Sequence, residues 1–273
     1  MGPTTCNDHA VPTSLPPSIP PSSTSAEDTT PLVALHGFTQ TGRSWGAVER
    51  ALGETILAPD LPGHGSASDE RPTNLDAAAA SIADRTTPLL GDNPAWWIGY
   101  SLGGRVLLHL ALARPELVRG LVLLSTTAGI DAGAERATRL AADGALADEI
   151  LRDGIEQFLV RWTAQPLFAT LTLSDHDRAD RLRNTAEGLA ASLRSCGTGT
   201  QMPLWDRLGE LSMPTVVITG ALDAKFGALG RRLTDALPNA VHEDLADAGH
   251  ACHLEQPGAF ANALRRGQQC LRE

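Results

Sequence analysis

The chain has 273 residues, 42% hydrophobic and 20% charged, the composition of a globular protein with enough apolar surface for one large core. Its formal net charge of −10 argues against a nucleic-acid partner, since phosphate binding needs a basic face. Lys225 is the single lysine, so arginine is the default cation and an arginine at any one place is a weak signal by itself.

Residues 1–30 are rich in proline, serine and threonine and carry too little apolar surface to offset the entropy of ordering; a disordered tail is expected there. No basic stretch followed by an apolar one marks a leader, and no run of about 18 apolar residues marks a membrane span. A cytoplasmic protein without membrane partners is the expectation. Cys6, Cys196, Cys252 and Cys270 are far apart and form no C-x-x-C pair, so they are expected as free thiols, with neither metal nor disulfide framework.

Beyond the tail, short apolar runs recur at Leu32–Leu35, Ile56–Ala58, Trp96–Ile98, Leu121–Leu124 and Val216–Ile218. They do not alternate with polar residues, which fits strands buried on both faces of a parallel sheet. Helical patterns lie between them at Ser44–Leu52, Leu75–Leu90, Gly103–Ala113 and Gly227–Leu237. This alternation predicts an α/β fold with a mostly parallel, doubly wound sheet. From 135 to 208 the rhythm changes to helices with several arginines and no convincing strand. The expected organisation is a core of 31–134 and 209–273 interrupted by a helical lid at 135–208, placed where α/β proteins bind ligands.

Chemistry concentrates at Gly99-Tyr-Ser101-Leu-Gly103, a G-x-S-x-G pattern between an apolar strand and a helical run. A serine hydroxyl needs an imidazole to take its proton, and the imidazole needs a carboxylate to hold its tautomer. Asp223, after the run Thr215–Thr219, and His250, after the next expected strand, stand in the chain order this elbow requires. Asp244 and Asp247 compete for the acid role and His253 for the base. His36 and His64 read as loop-fixing side chains. Backbone N–H groups of Phe38 and Leu102 are the expected oxyanion donors. Ser101 and Arg105 are one helical turn apart and share a face, so a guanidinium can enter the same cleft as the hydroxyl.

These motifs together resemble the α/β-hydrolase fold. More narrowly, LHGFTQTGRSW, DLPGHG, GYSLGGR, AERATR, RWTAQPLFATL, GALDAKF and AGHACHLEQP resemble the 2-succinyl-6-hydroxy-2,4-cyclohexadiene-1-carboxylate synthases of menaquinone biosynthesis. The arginine after the elbow, W-x-x-Q-P-x-F and D-x-K-F are the discriminating parts. The resemblance implies a cofactor-free lyase that eliminates pyruvate from a substrate with three carboxylates, with Ser101, His250 and Asp223 acting together as base. It also implies Arg105, Arg139 and Arg183 as carboxylate clamps and Tyr100 and Trp162 as pocket walls. Trp162 and Phe168 fit a lid core equally well, and Lys225 and Phe226 fit a role in positioning the Asp223 loop. Two other readings stand beside the lyase: a serine esterase working through an acyl-enzyme, and a small-molecule receptor on a hydrolase scaffold, whose usual mark, a damaged triad, is not seen.

Overall fold

A computed structural model describes residues 30–91 and 93–271. The tail expected at 1–30 lies outside the described residues except for Thr30, as does Cys6. Cys196, Cys252 and Cys270 are free thiols. Among the described residues no helix is long and apolar enough to cross a membrane.

The strands are β1 (Leu32–Leu35), β2 (Ile56–Leu57), β3 (Ala95–Tyr100), β4 (Val118–Leu124), β5 (Thr215–Gly220) and β6 (Ala240–Leu245). They form one sheet in the order β2-β1-β3-β4-β5-β6, every pair parallel. Around it lie α1 (Gly46–Leu52), α2 (Leu75–Leu90), α3 (Leu102–Ala113), α8 (Ala224–Ala236), α9 (Cys252–Glu255) and α10 (Pro257–Cys270). Between β4 and β5 the chain makes α4 (Gly133–Asp153), α5 (Ile155–Thr163), α6 (Asp175–Arg181) and α7 (Ala186–Cys196).

Burial explains why the strand sequences do not alternate. Val33, Leu35, Trp97, Leu121, Leu123 and Val217 pack into one core, against α2 and α3. Their neighbours Leu32, Ala34, Trp96, Ile98, Val122, Leu124, Val216 and Ile218 pack into a second, which includes Phe260 and Leu264 of α10. Both faces exclude water, so both sets must be apolar. The insertion has a small core of its own, built from Ala147, Ile150, Phe158, Leu159, Leu189, Ala190 and Leu193. Its last two helices begin on side-chain caps: Ser174 and Asp177 form a reciprocal box at α6, and Thr185 accepts the Gly188 N–H at α7.

Candidate active site

At the end of β3 the chain turns sharply into α3. Ser101 takes φ 50° and ψ −107°, a strained conformation for an L residue. It is held by its N–H donating to Leu124 O at 2.9 Å and its carbonyl accepting from Thr126 Oγ1 at 2.8 Å. The two glycines permit the close packing of this elbow. A Cβ on Gly99 would stand 2.6 Å from Gly104 Cα, and one on Gly103 would stand 2.3 Å from Leu35 O. Leu102 opens α3, where the first N–H groups of a helix have no partner within it.

Asp223 caps α8, one carboxylate oxygen accepting the Phe226 N–H at 3.1 Å. The other accepts the His250 Nδ1 proton at 2.8 Å, which leaves Nε2 as the acceptor nitrogen of that ring. Burial works to raise the Asp223 pKa, but the hydrogen bonds from His250 and Phe226 and the charge of Lys225 outweigh it and hold the carboxyl below its ordinary value. The His250 ring lies against Phe226, Tyr100 and Phe168, with centroids 4.3, 5.4 and 6.0 Å away.

Asp244 and the other histidines of the sequence argument are engaged elsewhere. Asp244 accepts the Thr219 hydroxyl at 2.5 Å. His253 is fully buried between Trp45 and Tyr100, with centroids 4.7 and 4.4 Å away. His36 accepts the Leu61 N–H at 2.9 Å through Nε2 and donates from Nδ1 to Gly37 O at 2.9 Å, a neutral tautomer tying two loops together. His64 is fully buried beneath the Phe38 ring at 5.7 Å, and desolvation, with the charge of His36, pushes its pKa down to about 3.

Ser101 and His250 open on a cavity of about 510 Å³. Core residues Phe38, Gln40, Tyr100, Leu102, Arg105, Lys225 and Phe226 form part of its wall, and the insertion supplies Arg139, Trp162, Gln165, Phe168 and Arg181 among others. The wall thus holds three arginines and a lysine and no carboxylate, in a chain of net charge −10. Arg105 is 7% exposed; its Nη1 donates to Cys196 O at 2.7 Å, and burial pushes its pKa down to about 10, still protonated at neutral pH. Arg139 is held through Nε by Asp143 at 2.7 Å. Trp162 Nε1 and Arg181 Nε are buried donors without a hydrogen-bond partner.

One expected clamp is corrected. Arg183 does not line the cavity: its side chain is 42% exposed and lies 3.9 Å from Asp180. Arg181, two residues earlier, lines it and is 3% exposed. Arg181 is the last residue of α6 and Arg183 lies in the turn beyond it, so a two-residue error of register exchanges a cavity residue for a surface one. The other expected residues, Tyr100, Ser101, Leu102, Phe38, Arg105, Arg139, Trp162 and His250, all meet at the cavity, with Asp223 behind His250. Gln40 was not singled out by sequence. It lines the cavity and accepts the Gly37 N–H at 3.0 Å, a contact no motif announces.

A parallel sheet whose third strand delivers a strained serine to a helix N-terminus, with an acid and a histidine from the loops after β5 and β6, defines a class. Residues 32–263 match the alpha/beta hydrolase family, and the chain belongs to it. Narrower likenesses cover nearly the same span. A Serratia proteamaculans protein named 2-succinyl-6-hydroxy-2,4-cyclohexadiene-1-carboxylate synthase is 36% identical over 239 residues, 86% of this chain and 91% of that protein. A Bacillus subtilis protein named provisionally for the same activity is 37% identical over 241 residues, 85% and 88% of the two chains. The structure of MenH from S. aureus superposes with a TM-score of 0.83 at 31% identity, covering 90% of this chain and 96% of that one. Within the alpha/beta hydrolases, the chain therefore belongs to the 2-succinyl-6-hydroxy-2,4-cyclohexadiene-1-carboxylate synthase family.

Proposed function

We propose that the protein is the menaquinone-pathway lyase that converts 2-succinyl-5-enolpyruvyl-6-hydroxy-3-cyclohexene-1-carboxylate to 2-succinyl-6-hydroxy-2,4-cyclohexadiene-1-carboxylate by eliminating pyruvate. The observation that carries this reading is the cavity wall: four cations and no carboxylate around Ser101 and His250. That is a poor use of charge for a neutral ester and a fitting one for a substrate with three carboxylates.

In this reading Ser101 Oγ takes the proton from ring carbon while its own proton passes to His250 Nε2, and Asp223 stabilises the imidazolium. The electron pair moves through the conjugated system, and charge collects on the succinyl carbonyl oxygen, where the Phe38 and Leu102 N–H groups receive it. The bond from the ring to the enolpyruvyl oxygen then breaks, and the departing enolate is protonated to pyruvate. No acyl-enzyme forms. Arg105, Arg139 and Arg181 clamp the carboxylates, Tyr100 and Trp162 wall the pocket, and the helices of 135–208 act as a lid over it.

The test is pyruvate release from the purified substrate, followed by NADH oxidation through a lactate dehydrogenase. Release by the parent and its loss in Ser101→Ala and His250→Ala supports the reading. A folded protein that releases no pyruvate but turns over p-nitrophenyl esters with a burst overturns it in favour of the esterase.

A further inference from the structure

The loop after β1 carries the proposed oxyanion donor Phe38, and the insertion grips that loop at the residues just beyond it. Thr39 takes φ 69°, a left-handed conformation that a β-branched residue adopts only when its surroundings compel it. Its carbonyl accepts from Asn184 Nδ2 at 2.8 Å and its hydroxyl from Arg181 Nη1. The Thr41 hydroxyl donates to Asp180 Oδ1 at 2.6 Å. Asn184 is fully used, giving its second proton to Arg181 O at 2.9 Å and accepting the Gly65 N–H at 2.9 Å. Thr39, Thr41, Asp180, Arg181 and Asn184 are all 5% exposed or less, so these contacts form away from water, where an unmade hydrogen bond is costly. The Phe38 ring meets the insertion as well, edge-on to Trp162 with centroids 5.2 Å apart.

Neither Asp180 nor Asn184 lines the cavity, so whatever they contribute to the reaction passes through the groups they hold, the loop after β1 and Arg181. Relaxing Thr39 toward negative φ re-aims the Phe38–Thr39 and Thr39–Gln40 peptides, and the first of these is joined at the Phe38 Cα to the peptide that carries the proposed N–H donor. We propose that Asp180 and Asn184 are positioning residues: they latch the loop after β1 in its left-handed turn, so that the oxyanion site is complete only while the end of α6 is seated on it. This rests on the reading of Phe38 as an oxyanion donor. It assigns the insertion a second task besides closing over the substrate, because the same corner that presents Arg181 to the cavity sets the geometry of the donor.

The experiment compares the full chain with Asn184→Ala, Thr39→Gly and the double variant. Glycine takes positive φ without steric cost, so it removes the strain that the latch has to offset. Asn184→Ala is expected to lose about tenfold in kcat for pyruvate release, equivalent to about 1.4 kcal/mol. Its KM should stay within about twofold, because the lost interaction acts on the transition state. Thr39→Gly is expected to restore most of that kcat, a rescue that a merely destabilised protein would not show. Asn184→Asp, which keeps the acceptor for Gly65 and removes the donor to Thr39, serves if the alanine variant does not fold. Hydrogen exchange of the peptide covering 37–42 reads the latch without any activity, and faster exchange confined to it in Asn184→Ala is the expected result. Unchanged exchange with unchanged kcat overturns the latch, and faster exchange with unchanged kcat overturns its role in the reaction. If the parent releases no pyruvate, the lyase reading fails by itself, and exchange alone decides whether the latch exists.

Discussion

Replacing Arg105 by methionine separates the cation from its hydrocarbon stem. The side chain is 7% exposed, and its guanidinium donates to the Cys196 carbonyl at 2.7 Å, which fixes its direction and leaves its other N–H groups for a ligand. A pair of parallel charge-assisted hydrogen bonds to a carboxylate is worth about 3 kcal/mol, so kcat/KM for pyruvate release should fall roughly 150-fold. Most of that loss should appear in KM, because a clamped carboxylate carries the same charge in the ground state and in the transition state. Stability should change little: methionine fills the stem's volume, and release from the cost of a buried cation, the cause of its lowered pKa, offsets the lost bond to Cys196. Arg105→Lys keeps the charge without the planar fork and should lose about tenfold. The assay is coupled pyruvate release over a range of substrate, with Tm measured alongside. A methionine variant with unchanged Tm and kcat/KM within about threefold of the parent would refute the clamp, since such a change is under about 0.7 kcal/mol.

The corrected register makes a paired comparison: Arg181→Met should lose at least about tenfold in kcat/KM and Arg183→Met no more than about twofold, and the reverse order would restore the sequence-based assignment. Asp223→Asn presents an amide where His250 Nδ1–H now finds a carboxylate, so kcat should drop by roughly three to four orders of magnitude while circular dichroism stays that of the parent. Activity near that of the parent would remove Asp223 from the triad. Acid should destabilise the fold through its buried histidines. Desolvation lowers the pKa of His36, His64 and His253, for His64 to about 3, so between the ordinary value of 6.5 and that point the unfolded chain binds protons the folded chain refuses. Their contribution is complete above about pH 6.5 and is lost as pH falls, His64 giving up about 1.4 kcal/mol per pH unit across its window. Urea titrations at neutral and mildly acid pH should show this slope, and His64→Gln should flatten it; equal slopes in parent and variant would mean that His64 is protonated in the folded state.

The parts of the fold and site legible in the sequence are those where the local chain carries its own constraint. Apolar runs without alternation can be buried only on both faces, and Leu32–Leu35 and Val216–Ile218 lie within β1 and β5, while Trp96–Ile98 extends by a residue or two at each end into β3. Gly99 and Gly103 flank Ser101 because a Cβ at either position would collide with backbone, so the elbow announces itself in five residues. Arg105 follows from helical spacing alone. The insertion has no such internal ruler. Its helices are joined by turns whose phase depends on where each cap falls, and α6, only seven residues long, begins at the Ser174 and Asp177 box and ends on Arg181. Two arginines in Arg181-Leu-Arg183 are equivalent as chemistry, and only the packing of Asp180 and Asn184 against Thr41 and Thr39 decides which one turns inward. Those contacts join residues 139 and 145 positions apart, so no window of local sequence contains them. The same long-range contacts that hid Arg181 from the sequence hold the loop beside Ser101. The geometry of the candidate site is therefore written in two ways, locally at the elbow and non-locally where the insertion meets the core.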